Sequence, residues 1–438
     1  MRRHPILSFI AAVLLLPTGW ALAQTAAPTP EEARAFIQSA GAELVNLWSH
    51  RERIGFVQTT YITDDTTLLA GEAEEAVMEA TARLIKESLK YKSVKMDEDT
   101  ARQHMLLRLS ASLPAPPDPK ERNELANIST ELTSMYGKGT YCSKGDNPTC
   151  RELPELSKVM AESRNYNELL EAWNGWHTIS VPMKPKYERY VTLANKGARE
   201  IGFVDTADMW RSRYDMSPQA FEKETDRLWL QVKPLYDQLH CYVRGKLRTT
   251  YGADKVPERG PIPAHLLGNM WAQEWANIYP LVEPYPGEGN LDVTEALKDA
   301  NYDAIKMVKL GESFFTSLGM DPLPKTFWER SMFTKPNDRN VVCHASAWDV
   351  SYQDDLRIKM CIEVKEEDLI TIHHELGHNY YYHAYYKQPP LYRDGANDGF
   401  HEGIGDTLAL SVTPGYLKNL GLFKPERSVN PCEMGDQT

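Results

Sequence analysis

His374-Glu375-Leu376-Gly377-His378 is the stretch on which the reading of this chain turns. On an α-helix, residues four apart lie one turn apart on the same face. Two imidazoles so placed can grip one Zn²⁺. The Glu between them can serve as general base toward water held by that metal. The spacing therefore predicts a helix, a metal centre and chemistry directed at amide bonds.

Two histidines are not a complete set, because a catalytic zinc takes a third protein ligand and leaves one position open. Candidates follow in Gly399-Phe400-His401-Glu402-Gly403-Ile404-Gly405-Asp406. Glu402 and Asp406 are four apart and share a helix face. Glu402 can ligate the metal, and Asp406 can accept a hydrogen bond from the far nitrogen of a ligand histidine. His401 is an alternative ligand. It points about 100° around the helix from Glu402, so if Glu402 ligates, His401 is a packing group or a support for a ligand. Tyr380, Tyr381, Tyr382, Tyr385 and Tyr386 crowd the next turns. Such an aromatic run reads as core packing, and no catalytic role is assigned to it.

Composition bounds the rest. The 438 residues are 42% hydrophobic and 25% charged, enough for a large core in a water-soluble fold. Lys and Arg number 49 against 61 Asp and Glu, a net charge of −12. That argues against nucleic acid as a partner, because phosphate binding needs a basic surface. Arg2 and Arg3, the apolar run Ile6 to Leu16, and Ala21-Leu22-Ala23 before Gln24 predict a cleaved signal peptide over residues 1–23. No later stretch is long and apolar enough to cross a membrane. The mature chain, 24–438, is therefore expected to be secreted or periplasmic. Six cysteines suit an oxidising compartment. Cys142 with Cys150 and Cys343 with Cys361 are close in sequence and are the expected bridges. Cys241 and Cys432 have no evident partner.

The mature chain reads as mainly helical. Thr29-Pro30-Glu31-Glu32 is a helix start, with Thr as cap, Pro at the first position and Glu at the third. Ile37, Ala40, Leu44 and Trp48 follow at helical spacing. Thr67 to Lys90 and Phe221 to Tyr242 read as further long helices. Leu113-Pro114-Ala115-Pro116-Pro117-Asp118-Pro119 breaks the pattern. Strand signals are sparse: Val341-Val342-Cys343 and Ile358-Lys359-Met360-Cys361-Ile362 are expected as two short strands just before the histidine-bearing helix.

Together these motifs resemble the angiotensin-converting-enzyme family of zinc peptidyl-dipeptidases. The resemblance lies in His373 to His378 and Gly399 to Asp406. It extends to Cys343-His344-Ala345-Ser346-Ala347-Trp348-Asp349 and to Gly260-Pro261-Ile262-Pro263-Ala264-His265-Leu266-Leu267-Gly268-Asn269-Met270-Trp271-Ala272-Gln273. It runs from about Glu31 to about Leu422 and is strongest after Gly260. It implies a helical ellipsoid of the gluzincin type, with a deep central groove and a small β-hairpin beside the zinc helix. It implies oligopeptide substrates with a free C-terminus. His374, His378 and Glu402 would be zinc ligands, Glu375 the general base, and Asp406 a support for a ligand. His344 would hydrogen-bond a substrate carbonyl, Ala345 would meet the substrate backbone, and Gln273 would help hold the terminal carboxylate. Both expected disulfides match family bridges. Many members are chloride-activated, and Arg211 and Tyr251 match chloride-contacting positions. For Arg211 an ordinary ion pair is an equal alternative.

The family also has a Tyr and a His that stabilise the oxyanion, and a Lys and a Tyr that bind the terminal carboxylate, all well past the third ligand. Here 438 − 402 = 36 residues follow Glu402, and none is His. The expectation is a domain incomplete at its C-terminal side, lacking the family's last third. Such a chain would hold zinc while turning over slowly or not at all. A second class of reading is then a zinc-binding relative that holds peptides without cleaving them. A third is another zinc carboxypeptidase or oligopeptidase with the same metal motif, which the motifs around His344 and Gln273 speak against.

Overall fold

The computed structural model describes residues 27–143, 148–285 and 292–423. The expected signal peptide and Cys432 lie outside those residues. What is described is mainly helical, with two small two-stranded antiparallel hairpins.

The first helix, Pro30–Thr60, starts where its capping residues require. Thr29 Oγ1 accepts from Glu32 N at 3.2 Å, and Glu32 Oε2 accepts from Thr29 N at 2.8 Å. This reciprocal pairing satisfies two of the otherwise orphaned N–H groups. Ile37, Ala40, Leu44 and Trp48 are buried, as their spacing predicts. The stretch expected from Thr67 to Lys90 is helix Asp64–Ser88 with a following 3₁₀ turn at Leu89–Tyr91. The Pro-rich break separates helix Glu98–Leu109 from helix Pro119–Gly137, which Asp118 caps through its side chain. The helix expected at Phe221 to Tyr242 is longer, Pro218–Tyr251.

The hairpins correct the strand expectations. Strands form at Ser346–Asp349 and Leu356–Lys359, in register Ser346↔Lys359 through Asp349↔Leu356. Val341 to Cys343 is not a strand. Its polar backbone is taken up elsewhere: Val342 N donates to Thr59 O at 2.8 Å, and Ile62 N donates to Asn340 O at 3.0 Å. The turn at 350–355 is held by Asp349, whose carboxylate accepts from the backbone N–H groups of Ser351, Asp354 and Asp355. The second hairpin, Thr140–Cys142 with Cys150–Glu152, is absent from the sequence expectations. The Cys142–Cys150 and Cys343–Cys361 disulfides are both present, and Cys241 is exposed and has no disulfide partner among the described residues.

The largest core cluster surrounds the histidine helix, Glu366–Tyr385. It joins Leu369, Ile372 and Leu376 of that helix to Met307 and Phe315 of helix Ala304–Ser317 and to Leu356 and Ile358 of the hairpin. The hairpin therefore lies against the histidine helix, as expected. No helix among the described residues is long and apolar enough to cross a membrane.

Candidate metal centre

The histidine helix carries Glu366, Glu367 and Asp368 in its first turn, where carboxylates favour the positive end of the helix dipole. Asn379, fully buried, donates through Nδ2 to Arg357 O at 3.1 Å and ties the helix to the hairpin. A second helix, Asp398–Ala409, crosses it at a glycine pair. A Cβ on Gly377 would meet Leu408 Cδ1 at 2.9 Å and Gly405 Cα at 3.1 Å. A Cβ on Gly405 would meet the His374 ring at 2.8 Å. Only glycine at both positions lets the backbones approach this closely. The crossing sets Glu402 and Asp406, one turn apart, around His374.

His374 Nε2 and His378 Nε2 are 3.0 Å apart. Glu402 Oε2 lies 3.3 Å from the first and 3.8 Å from the second. Zinc–nitrogen bonds of about 2.0–2.1 Å in tetrahedral geometry put ligand atoms about 3.3 Å apart. The three donors thus fit one ion, and they form the metal-competent His, Cys, Asp or Glu group among the described residues. Burial, then the neighbouring charges of His401 and His374, push the His378 pKa down to about 3, which keeps this ring neutral as ligation requires. Asp406 Oδ1 stands 3.1 Å from His374 Nδ1, on the side away from the metal position.

Glu375, buried, keeps Oε2 without a hydrogen-bond partner among the described residues. A buried carboxylate oxygen left bare is costly unless something outside the chain occupies it. Burial pushes its pKa up to about 7, with the Lys359 ammonium opposing and Glu402 adding to the rise. Lys359 was not anticipated as part of the site. It is 2% exposed, and its Nζ donates to Val342 O at 2.7 Å and to His344 O. Its one sequence signal is a lysine within an apolar strand run, Ile358-Lys359-Met360.

The expected substrate contacts lie on neighbouring segments. The His344 ring is edge-on to Trp271 at 6.3 Å. Asn269 Oδ1 accepts from Trp271 N at 3.0 Å and Gln273 N at 3.3 Å, turning the chain so that Gln273 is exposed two residues beyond Trp271. Ala272 takes φ +58° in that turn. Ala345 packs on the main core cluster. The chloride expectations are not brought together: Arg211 pairs with Glu222 at 3.5 Å, and Tyr251 packs against Tyr166. Some 29 residues of helix separate Glu222 from Tyr251, roughly 40 Å.

The tyrosine run divides. Tyr380 is core, stacked on Phe315 at 4.1 Å. Tyr381 and Tyr382 flank the His401 ring at 4.9 and 5.0 Å, and Tyr385 Oη reaches His401 Nε2 at 3.4 Å. The available signal was spacing: 381, 382 and 385 lie three, four and seven residues after His378, on its face. Among the described residues nothing closes the outer wall. The side chains of Glu402 and Asp406 are 64% and 70% exposed.

A family model described as angiotensin-converting enzyme matches residues 27–434. The chain is similar to the angiotensin-converting enzyme of Sus scrofa, 48% identical over 309 residues, covering 70% of this chain and 24% of that protein. For the Bos taurus enzyme the figures are 47% over 314 residues, 71% and 24%. For the Theromyzon tessulatum enzyme they are 46% over 305 residues, 68% and 49%. The matched part thus spans about a quarter of the mammalian relatives and about half of the third.

Proposed function

The chain belongs to the angiotensin-converting enzyme family of zinc metallopeptidases, and from that premise we propose that it is a peptidyl-dipeptidase, releasing C-terminal dipeptides from oligopeptides. The spacing of the His374, His378 and Glu402 donor atoms, 3.0–3.8 Å, is the observation that carries this reading. When bound there, zinc would supply Lewis acidity, lowering the pKa of water and polarising a carbonyl. Glu375 accepts the proton at its carboxylate and passes it to the leaving amine. A carboxyl poised near neutrality suits both transfers. Asp406 fixes the orientation of His374. His344 donates to a substrate carbonyl, Ala345 meets the substrate backbone, and Gln273 holds the free C-terminal carboxylate. Fixing that carboxylate two residues from the metal gives a dipeptide product. Chloride enters only as two separate sites, at Arg211 and at Tyr251. Residues 24–438 act as a peptidase domain, exported by the leader at 1–23 to the periplasm or the medium.

The exposure of Glu402 and Asp406 favours a second reading for the chain on its own, in which it holds metal and peptide with little turnover. Charge developing in a transition state is stabilised best where water is kept out. Zinc stoichiometry, with turnover of a blocked tripeptide by the wild type and by Glu375→Gln, separates the readings. The peptidase reading expects one zinc per chain and turnover at least ~100-fold lower in the variant. Stoichiometric zinc and peptide binding without turnover would leave the second reading. A chain that takes up no zinc would overturn both.

A further inference from the structure

The two histidines of the metal centre are backed in different ways. Behind His374 stands a carboxylate, Asp406. Behind His378 stands another imidazole: His401 Nδ1 is 2.6 Å from His378 Nδ1. Two ring nitrogens at that distance share one proton. A ligand histidine that presents Nε2 to a metal carries its proton on Nδ1. His378 is then the donor and His401 Nδ1 the acceptor. A neutral His401 accepting at Nδ1 keeps its proton on Nε2, where Tyr385 Oη accepts at 3.4 Å. The His401 ring is boxed in by Tyr381 and Tyr382. A Cβ on Gly395 would stand 2.7 Å from its Cδ2, so that glycine lets the ring sit where it does.

We infer that His401 is a positioning residue, the acceptor end of a His378–His401–Tyr385 chain that holds the His378 ring with Nε2 turned to the metal. This rests on the metal reading of His374, His378 and Glu402. It explains why a residue beside a ligand, itself able to bind metal, faces the wrong way to do so. It also makes the site asymmetric. One ligand is steadied by a charge open to solvent. The other is steadied by an uncharged ring half-buried among tyrosines.

The test is zinc affinity by chelator competition, together with the visible absorption of the cobalt-substituted protein, for wild type, His401→Ala, His401→Asn, Tyr385→Phe and His374→Ala. His401→Ala is expected to weaken zinc binding 10–100-fold and to shift the cobalt bands. His401→Asn, whose Oδ1 can accept where Nδ1 did, is expected to restore most of both. Tyr385→Phe is expected to fall between wild type and His401→Ala. Matching thermal melts of the zinc-free proteins show that the comparison is between folded chains. Wild-type affinity and an unshifted cobalt spectrum in His401→Ala would overturn the inference, as would an Asn variant no better than Ala. Both results leave the metal reading intact so long as His374→Ala abolishes binding. A wild type that binds neither metal takes down the metal reading, and this inference with it.

Discussion

The histidine helix and the long helix Pro218–Tyr251 are both rich in apolar residues, and they meet opposite fates. The first buries ten of its twenty residues. Of the 34 in the second, only Val243 and Leu247 are buried. Leu228, Trp229, Leu230, Val232, Leu235, Tyr236, Leu239 and Tyr242 are all exposed. Among these, Leu228, Val232, Leu235, Leu239 and Tyr242 step by four, three, four and three, the spacing of a seam made to meet another helix. Apolar periodicity thus states that a helix face wants cover and says nothing about what covers it. Helices draw most of their stability from such cover. In the histidine helix the cover is present and the functional groups are held still. In the long helix, between its ends, it is confined among the described residues to Tyr236 and His240 meeting the Trp275 ring.

The sharpest way to break this comparison is to cut the same side chain from each helix. Leu376→Ala, at a fully buried position beneath Gly311, is expected to cost about 2–5 kcal/mol. Leu235→Ala, at a position 73% exposed, is expected to stay within about 0.5 kcal/mol. Equal losses in urea unfolding would show that the long helix is covered in solution. Gly405→Ala comes next. Its methyl collides with the His374 ring and should cost about 1–3 kcal/mol, with zinc affinity falling alongside. Unchanged affinity would detach the metal centre from the helix crossing.

Another effect lies in pH. His373 is fully buried, its Nδ1 bonded to Leu369 O at 2.8 Å, and burial pushes its pKa down to about 4. The unfolded histidine, near 6.5, binds more protons between those values. Its contribution is therefore complete above pH 6.5 and is lost as pH falls toward about 4, at about 1.4 kcal/mol per unit. Buried Asp368, pushed up to about 6, contributes with the opposite sign, so the variant isolates the histidine. In zinc-free protein, His373→Gln should flatten this acid limb of stability, and an identical pH profile would remove His373 as its source. The smallest expected effect is in dye binding. Leu235→Ser should lower fluorescence of a hydrophobic-surface dye without moving the melting temperature, whereas dye binding indifferent to the change would mean the seam is not bare.

Much of the site was legible because its information is short-range. His374 and His378, and Glu402 and Asp406, each stand one turn apart, so a helix alone aligns them. Thr29 announced its helix for the same reason, its partner Glu32 being three residues away. What escaped depends on distant contacts. The strand bounds moved because Val342 gives its N–H to Thr59, nearly three hundred residues earlier. The hairpin at Thr140–Glu152 has strands of three residues, too short for an alternation to register. The partnership of His401 with His378 depends on how two helices cross, which no spacing within either one encodes.

The crossing has a mechanical consequence. Gly405 is the one fully buried residue of the helix Asp398–Ala409, so little apolar surface fastens that helix to the rest. A metal gripped by His374 and His378 on one side and Glu402 on the other would act as its rivet. Anything that binds only the assembled form stabilises it in proportion to the logarithm of its concentration. Zinc bound there would then slow the local opening of this helix.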